Sequence, residues 1–227
     1  MNEQQKQASE IHQRLLEHYG NPTWRNPLSP VAELVSTILS QNTNDTNRDR
    51  AFDALRERFD TWEEVRDAEV ADIVEAIRPA GLANQKGPRI KKALQQITDL
   101  HGTLSLEFLK HYPPEDAYDW LVQFKGVGPK TASIVMLFSL DLPAFPVDTH
   151  IHRVTGRLGL RPKKMSAAKA HTYLASLFPP DSYYAVHLNI IRLGREICQA
   201  RVAHCQECPL QTECDYYANE FQPADSQ

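Results

Sequence analysis

The amino-acid sequence predicts an all-α fold built from many short helices. Apolar residues recur at three- and four-residue intervals along most of the chain, and no segment alternates apolar and polar residues as a half-buried strand does. Proline and glycine interrupt this pattern at short intervals, as at Pro79-Ala80-Gly81, Pro113-Pro114 and Pro179-Pro180. These observations predict helices of about three turns each, joined by tight turns.

The helical pattern begins near the N-terminus. Segment 3–19 carries Ile11, Leu15 and Leu16 at helical spacing, and segment 30–41 places five apolar side chains on one face. Further helices are predicted, in chain order, over 45–59, 61–68, 70–78, 86–100, 115–124, 130–140, 148–158, 166–177 and 184–198.

The composition is that of a globular protein of 227 residues, of which 41% are hydrophobic. This length suffices for one large domain or two small ones. No apolar run approaches the ~20 residues that cross a bilayer, and the polar N-terminus lacks the apolar stretch of a signal peptide. We therefore expect a cytoplasmic protein, nucleoid-associated in a bacterium, with no membrane partner.

The net charge of −4 argues mildly against a nucleic-acid partner, although cations cluster locally along the chain. On charge alone, we interpret these clusters as solvated helix faces. The clusters are Lys86, Arg89, Lys91 and Lys92; Arg161, Lys163 and Lys164; and Arg192, Arg195 and Arg201.

The most informative segment is a turn between two helices. Gly126 and Gly128 bracket a single apolar residue, Val127, and Pro129 follows at a favourable first-turn position. The second helix begins with free N–H groups and the positive end of its dipole, so the turn is suited to a phosphate. A plain joint between two helices, with a glycine at the C-cap, is the alternative interpretation.

Two ionisable residues near this turn are candidates for catalysis. Lys130 falls in the first turn of the second helix, where the helix dipole disfavours an ammonium ion, and only the free amine is a nucleophile. Asp148 precedes a later helix, where the expected role is an N-cap. One carboxylate oxygen can cap the helix while the other serves chemistry, so the two roles are compatible.

Four cysteines lie within the 17 residues from Cys198 to Cys214. A disulfide framework would spread them along an exported chain, so this spacing indicates metal ligation. Four thiolates suit either zinc or an iron–sulfur cluster, and the spacing alone leaves both open.

Three motifs together resemble the endonuclease III branch of the helix–hairpin–helix DNA glycosylases. They are Gly126-Val-Gly-Pro-Lys-Thr-Ala132, Val147-Asp-Thr-His-Ile151, and Cys-x6-Cys-x2-Cys-x5-Cys at Cys198, Cys205, Cys208 and Cys214. Their order and spacings match, and the likeness runs from about residue 28 to about residue 216.

The resemblance implies two helical domains flanking a DNA-binding cleft. A central helical barrel over 23–135 would end in the hairpin, and residues 1–22 with 136–227 would form the cluster domain. The position of Lys130 is the Schiff-base nucleophile of bifunctional members, and that of Asp148 is the carboxylate that assists it and stabilises positive charge on the sugar. The four cysteines match the ligands of a 4Fe–4S cluster.

The resemblance also implies residues that contact double-stranded DNA. Gln41 or Asn42 would fill the gap left by an extruded base, with the register open by one residue. Leu82 would be the apolar wedge, consistent with the need to extrude a base before chemistry on it. The other expected contacts are Gly126, Val127, Gly128, His150 and Arg201.

The expected reaction is removal of a damaged base, an oxidised pyrimidine, followed by β-elimination at the abasic site. We expect the protein to act as a monomer. Lys125 and Pro129 depart from the residues common at those positions in the family, which leaves the lesion preference open. Two alternatives remain: a monofunctional or mismatch-specific glycosylase of the same fold, and a non-enzymatic DNA-binding iron–sulfur protein that would need neither Lys130 nor Asp148.

Overall fold

A computed structural model of the chain describes residues 1–23 and 27–221. These residues form eleven α-helices with short 3-10 turns and a π-helical segment, Tyr217–Phe221, and they contain no β-strand. The predicted all-α class is confirmed. No helix in the described ranges is long and apolar enough to cross a membrane. The helices are α1 (Glu3–Tyr19), α2 (Pro30–Ser40), α3 (Asp45–Arg58), α4 (Trp62–Asp67), α5 (Val70–Ala76), α6 (Ala83–His101), α7 (Pro114–Val122), α8 (Pro129–Ser139), α9 (Thr149–Arg157), α10 (Ala167–Ala175) and α11 (Tyr183–Glu196).

The chain divides into two compact units. The terminal unit comprises Met1–Arg25 with Pro143–Gln227, and the central unit comprises Asn26–Leu142. The domain bounds expected from the sequence, 23–135 against 1–22 with 136–227, stay a prediction.

In the central unit, α2 packs against α3, α6 and α8, and α7 packs against α8. The apolar faces of these helices are fully buried, with Ile38, Leu39, Ile90 and Leu94 at 0% exposure. Burial of each such side chain stabilises the unit by about 2 kcal/mol. The packing of α2 against both α6 and α8 places these three helices in one core.

In the terminal unit, α11 packs against both α1 and α9, and α10 packs against α9. Ile11 and Leu15 of α1 are fully buried, as are Val154 and Ile190 on the other helices. The N-terminal helix therefore belongs to the same core as α11, the helix that precedes the cysteine-rich segment.

Two members of the predicted cation clusters are not solvated. Lys86 is 1% exposed and Arg161 is 6% exposed, and burial lowers the pKa of both groups. Lys86 donates to backbone carbonyls, and Arg161 Nε and Nη1 donate to His152 O (3.1 Å) and Pro162 O (3.0 Å). For these two residues the prediction of a solvated helix face is wrong, because backbone carbonyl partners replace water.

Helix α6 also begins earlier than predicted, at Ala83 rather than residue 86. The amides of Gln85 and Lys86 donate to Leu82 O at 2.9 and 3.0 Å, which starts the helix ahead of Pro88. The proline therefore lies inside α6 instead of near its beginning.

Candidate functional site

The glycine turn that joins α7 to α8 has an open and a closed side. Val127 N donates to Phe124 O at 3.0 Å, and Val127 itself is buried at 4% exposure. Gly126 has φ +94°, and a Cβ there would lie 3.1 Å from Arg89 Cδ. A Cβ on Gly128 would meet nothing within 4 Å. The space in front of Gly128 is thus open, as an approaching phosphate group would require.

Gly128 is the N-cap residue of α8 and provides no side-chain cap to the free amides of the first turn. Lys130, the predicted nucleophile, is the second residue of this helix and is half-buried. Its ammonium has no hydrogen-bond or ion-pair partner among residues 1–23 and 27–221. The two residues that follow it, Thr131 and Ala132, are buried at 4% and 0% exposure, so the core anchors the first turn of the helix.

Asp148, the predicted carboxylate, is the N-cap of α9. Its Oδ1 accepts from Ile151 N at 2.7 Å, and the residue is half-buried. Two buried histidines hold the preceding loop, since His171 Nδ1 donates to Phe145 O (3.0 Å) and His187 Nδ1 donates to Pro146 O (3.1 Å). The capping role expected from the sequence is therefore present, and Oδ2 is left for a second role.

Gln41 and Asn42 follow α2 and differ in their surroundings. Gln41 is half-buried, its Nε2 donates to Gly126 O at 3.1 Å, and its Oε1 accepts from Arg89 Nη1 at 3.4 Å. Asn42 is exposed and has φ +53°. The side chain of Gln41 therefore ties the end of α2 to the glycine turn, whereas Asn42 projects from the surface of the central unit.

Leu82, the predicted wedge, lies directly before α6. It is 48% exposed and has φ +49°, a left-handed conformation that a leucine rarely adopts. Such a backbone costs about 1–3 kcal/mol and persists where the surroundings enforce it. An exposed apolar side chain on a strained backbone is typical of a functional position rather than of a core leucine.

His150 lies in the first turn of α9 and contacts an arginine of the same helix. Its Nδ1 is 3.1 Å from Arg153 Nη2. Because a guanidinium can only donate, Nδ1 is the acceptor, and the neutral ring carries its proton on Nε2. The half-buried His150 can therefore offer an Nε2–H donor to an anion.

The four cysteines are free thiols that line one pocket of the terminal unit. Apolar side chains, including Val154, Leu158 and Leu193, form much of the remaining wall. Burial raises the pKa of Cys208 to about 11 and also raises those of Cys205 and Cys214. Within the described ranges, no three His, Cys, Asp or Glu side chains converge on a single point as the ligands of one ion do. The thiols instead surround a space.

Two arginines of α9 hold the segment between the first two cysteines. Arg157 Nη1 donates to Cys198 Sγ (3.2 Å) and Gln199 O (2.7 Å), and Arg153 Nε donates to Cys198 O (3.1 Å). Arg201, predicted to contact DNA, is exposed on this anchored loop. Neither anchor was predicted from the sequence, although their four-residue spacing on α9 places them on one helix face.

Four features together define a class of repair proteins: an all-α fold, a glycine turn before a free lysine, a capping aspartate and a four-thiol cavity. The chain belongs to the HhH-GPD superfamily of base excision DNA repair proteins, whose family model matches residues 35–180. Within that class, it is similar to endonuclease III of Thermotoga maritima, with 32% identity over 188 residues that cover 83% of this chain and 84% of that protein.

Other relatives are longer than this chain. It is 37% identical to a protein of Arabidopsis thaliana over 187 residues, which cover 78% of this chain and 64% of that one. It is 33% identical to Protein ROS1C of Oryza sativa subsp. japonica, of which it spans 10%. The chain thus spans less than two thirds of these two relatives.

The fold is that of endonuclease III. A solved structure of a trapped endonuclease III–DNA covalent intermediate matches with a TM-score of 0.82, covering 96% of this chain and 99% of that chain, at 24% sequence identity.

Proposed function

We propose that this protein is a DNA glycosylase of base excision repair that removes oxidised pyrimidines from double-stranded DNA and then cuts the strand as an AP lyase. Membership of the repair superfamily supports the glycosylase activity. The observation that supports the lyase activity is the unpartnered side chain of Lys130, which lies at the start of α8 and directly follows the glycine turn.

In the proposed reaction, Lys130 Nζ attacks C1′ of the damaged nucleotide while the bond from C1′ to the base breaks. The electron pair of that bond leaves with the base, which takes up a proton. Loss of a proton from the nitrogen and opening of the sugar ring give an imine between Lys130 and C1′. Removal of a C2′ proton then expels the 3′ phosphate, which nicks the strand on the 3′ side of the lesion.

Asp148 serves this reaction through its charge. As positive charge develops on the sugar, a carboxylate stabilises the transition state more than the ground state. The oxygen that does not cap α9 can also accept the proton that Lys130 releases. The His171 and His187 contacts to the loop before α9 fix the place of this carboxylate within the terminal unit.

The glycine turn would bind the DNA backbone with the free amides of α8, and the open space at Gly128 supports close approach of a phosphate. Leu82 would enter the base stack as a wedge. Asn42 would fill the gap left by the extruded base, because its side chain is exposed, whereas that of Gln41 is engaged by Gly126 and Arg89. His150 and Arg201 would add contacts to phosphates.

The cysteine cavity fits a 4Fe–4S cluster held by Cys198, Cys205, Cys208 and Cys214. Each thiolate of such a cluster binds a different iron atom, so the thiols surround a space rather than a point. When bound, the cluster would act as a structural cross-link of the cysteine-rich segment. Arg153 and Arg157 position the loop that carries Arg201.

Borohydride trapping tests the proposal. Borohydride reduces the imine to a stable amine, so a bifunctional enzyme becomes covalently attached to a duplex that contains thymine glycol, and an undamaged duplex serves as the control. We expect a protein–DNA adduct with the lesion duplex and none with the control. Base release without an adduct would instead establish a monofunctional glycosylase, and neither base release nor an adduct on any lesion would refute the enzymatic function.

A further inference from the structure

Lys86 is a buried cation without a counter-ion. It lies in the first half of α6 with 1% of its surface exposed, and no carboxylate pairs with it in the part of the chain that the structure describes. Its Nζ donates to Leu39 O at 2.7 Å and to Ala80 O at 2.8 Å. An ammonium in such a place persists because carbonyl dipoles replace its hydration shell.

The first carbonyl partner belongs to the end of α2. Gln41 N donates to Ile38 O and Thr43 N donates to Ser40 O, both at 3.3 Å, so the backbone uses the carbonyls on either side of Leu39. The ammonium of Lys86 donates to the carbonyl between them, that of Leu39, which lies at the negative end of the dipole of α2. The loop that this contact fixes carries Asn42 in the left-handed region.

The second partner belongs to the turn before α6. Lys86 holds this turn at two points, because its backbone N–H donates to Leu82 O at 3.0 Å while its side chain donates to Ala80 O. Between these points lie Gly81 with φ +66° and Leu82 with φ +49°. The strained and exposed leucine is thus held from both sides by one residue.

We propose that Lys86 is a positioning residue that sets the spacing between the Asn42 loop and the Leu82 turn, so that both enter the duplex at the same base pair. The inference rests on the proposed function, in which these two side chains contact the opened duplex. The side chain of Lys86 joins the two loops through its ammonium group. A change in the length or the hydrogen-bond donors of this side chain therefore displaces the two loops relative to each other. The Lys130 chemistry is unaffected, since both hydrogen bonds of the Lys86 ammonium go to backbone carbonyls of the two loops.

Single-stranded and duplex substrates separate positioning from chemistry. An abasic site in single-stranded DNA can react with Lys130 without any base being extruded, whereas release of thymine glycol from a duplex requires the helix to be opened. For Lys86→Met, we expect duplex base release to fall on the order of 10- to 100-fold, as for a misplaced substrate-positioning group. Borohydride trapping on the single-stranded abasic site should stay within about twofold of wild type, the usual spread for uncoupled changes.

Lys91→Met is the matched control. Lys91 lies on the same helix and donates from Nζ to Ala68 O at 2.6 Å, but that carbonyl belongs to neither of the two loops. We expect this variant to match wild type on both substrates. An equal loss on both substrates in Lys86→Met would overturn the proposal and leave a merely structural lysine.

Lys86→Arg keeps the charge and the donors but changes their reach. Its ratio of duplex base release to single-stranded trapping should fall between those of wild type and Lys86→Met. Should Lys86→Met not fold, an Arg variant with a wild-type ratio would overturn the proposal.

Fluorescence of 2-aminopurine opposite a tetrahydrofuran abasic analogue reports base unstacking directly, and the Arg variant should raise it less than wild type does. An absence of trapping and base release in the wild-type protein would refute the proposed function instead.

Discussion

Lys130 differs from three other lysines of the central unit in what its nitrogen contacts. Lys86 and Lys91 donate to backbone carbonyls, and Lys110 pairs with Glu107. Lys130 has no such partner within the described ranges, so no bond has to break before it approaches an electrophilic carbon. At the scale of single residues, a free amine on a half-buried side chain distinguishes Lys130, since Lys92 and Lys125 are exposed.

Lys130→Ala should abolish both borohydride trapping and strand nicking, because the attacking nitrogen is removed. DNA binding should largely survive, since one ammonium accounts for about one of several phosphate contacts. Trapping gels and a binding titration measure the two effects. Lys125→Ala removes an exposed lysine from the same turn and should retain trapping. Wild-type trapping by the Lys130 variant would contradict the assignment.

Asp148→Asn separates the two roles of the carboxylate. Asparagine caps a helix about as well as aspartate, so the stability should change by no more than about 1 kcal/mol. Base release should fall roughly 100- to 1,000-fold, because the charge that complements the transition state is lost. Single-turnover base release and thermal unfolding measure these quantities.

Ser166→Ala is a control for the capping effect alone. Ser166 caps α10 by accepting from Lys169 N at 3.4 Å, in the same unit as Asp148. Its loss should cost about 1 kcal/mol of stability and leave base release unchanged. Near-normal release by the Asp148→Asn variant would assign Asp148 to capping only.

At the scale of elements, the glycine turn before α8 contains two glycines that are required for different physical reasons. Gly126 is required by its backbone, since φ is +94° and a Cβ would press against Arg89 Cδ. Gly128 has an ordinary φ of −98° and open space around the position of a Cβ. Any requirement for glycine at the second position therefore comes from what binds there.

Gly128→Ala should weaken binding to lesion and undamaged duplexes by the same factor, because the added methyl group meets the DNA backbone and not a base. Its unfolding temperature should match that of wild type. Gly126→Ala should instead lower stability by about 1–2 kcal/mol, the cost of a left-handed residue with a Cβ. Electrophoretic shifts and thermal unfolding test both variants, and a loss of affinity confined to damaged DNA would count against backbone binding by the turn.

At the scale of the whole molecule, the helices were predictable and the buried cations were not. The apolar period of α1 and α2 fixes their bounds within a residue or so, because burial of one face dictates the helix. Lys86 and Arg161 look like surface residues in the sequence. Their burial depends on backbone carbonyls that the folded chain places around them, which the apolar period does not encode.

In the candidate site, too, some features could be predicted from the sequence and others could not. The local signals of a cap and a glycine turn correctly placed Asp148 before α9 and Gly128 before α8. The strained backbone of Leu82 and the contact of Gln41 with Gly126 arise from packing between α2, α6 and the turn, so they appear only in three dimensions.

The cysteine cavity makes a prediction about the molecule as purified. Anaerobically prepared protein should contain about four irons per chain and be brown, because four thiolates surround a space suited to a cubane cluster. Cys208→Ser should lower the iron content, and cleavage by protease within residues 199–204 should become faster, since the loop loses its cross-link. The Arg153 and Arg157 contacts remain in that variant and should leave part of the protection. Stoichiometric zinc without iron in the wild-type protein would contradict the cluster, since one zinc ion requires all four sulfur atoms within ~2.3 Å of a single centre.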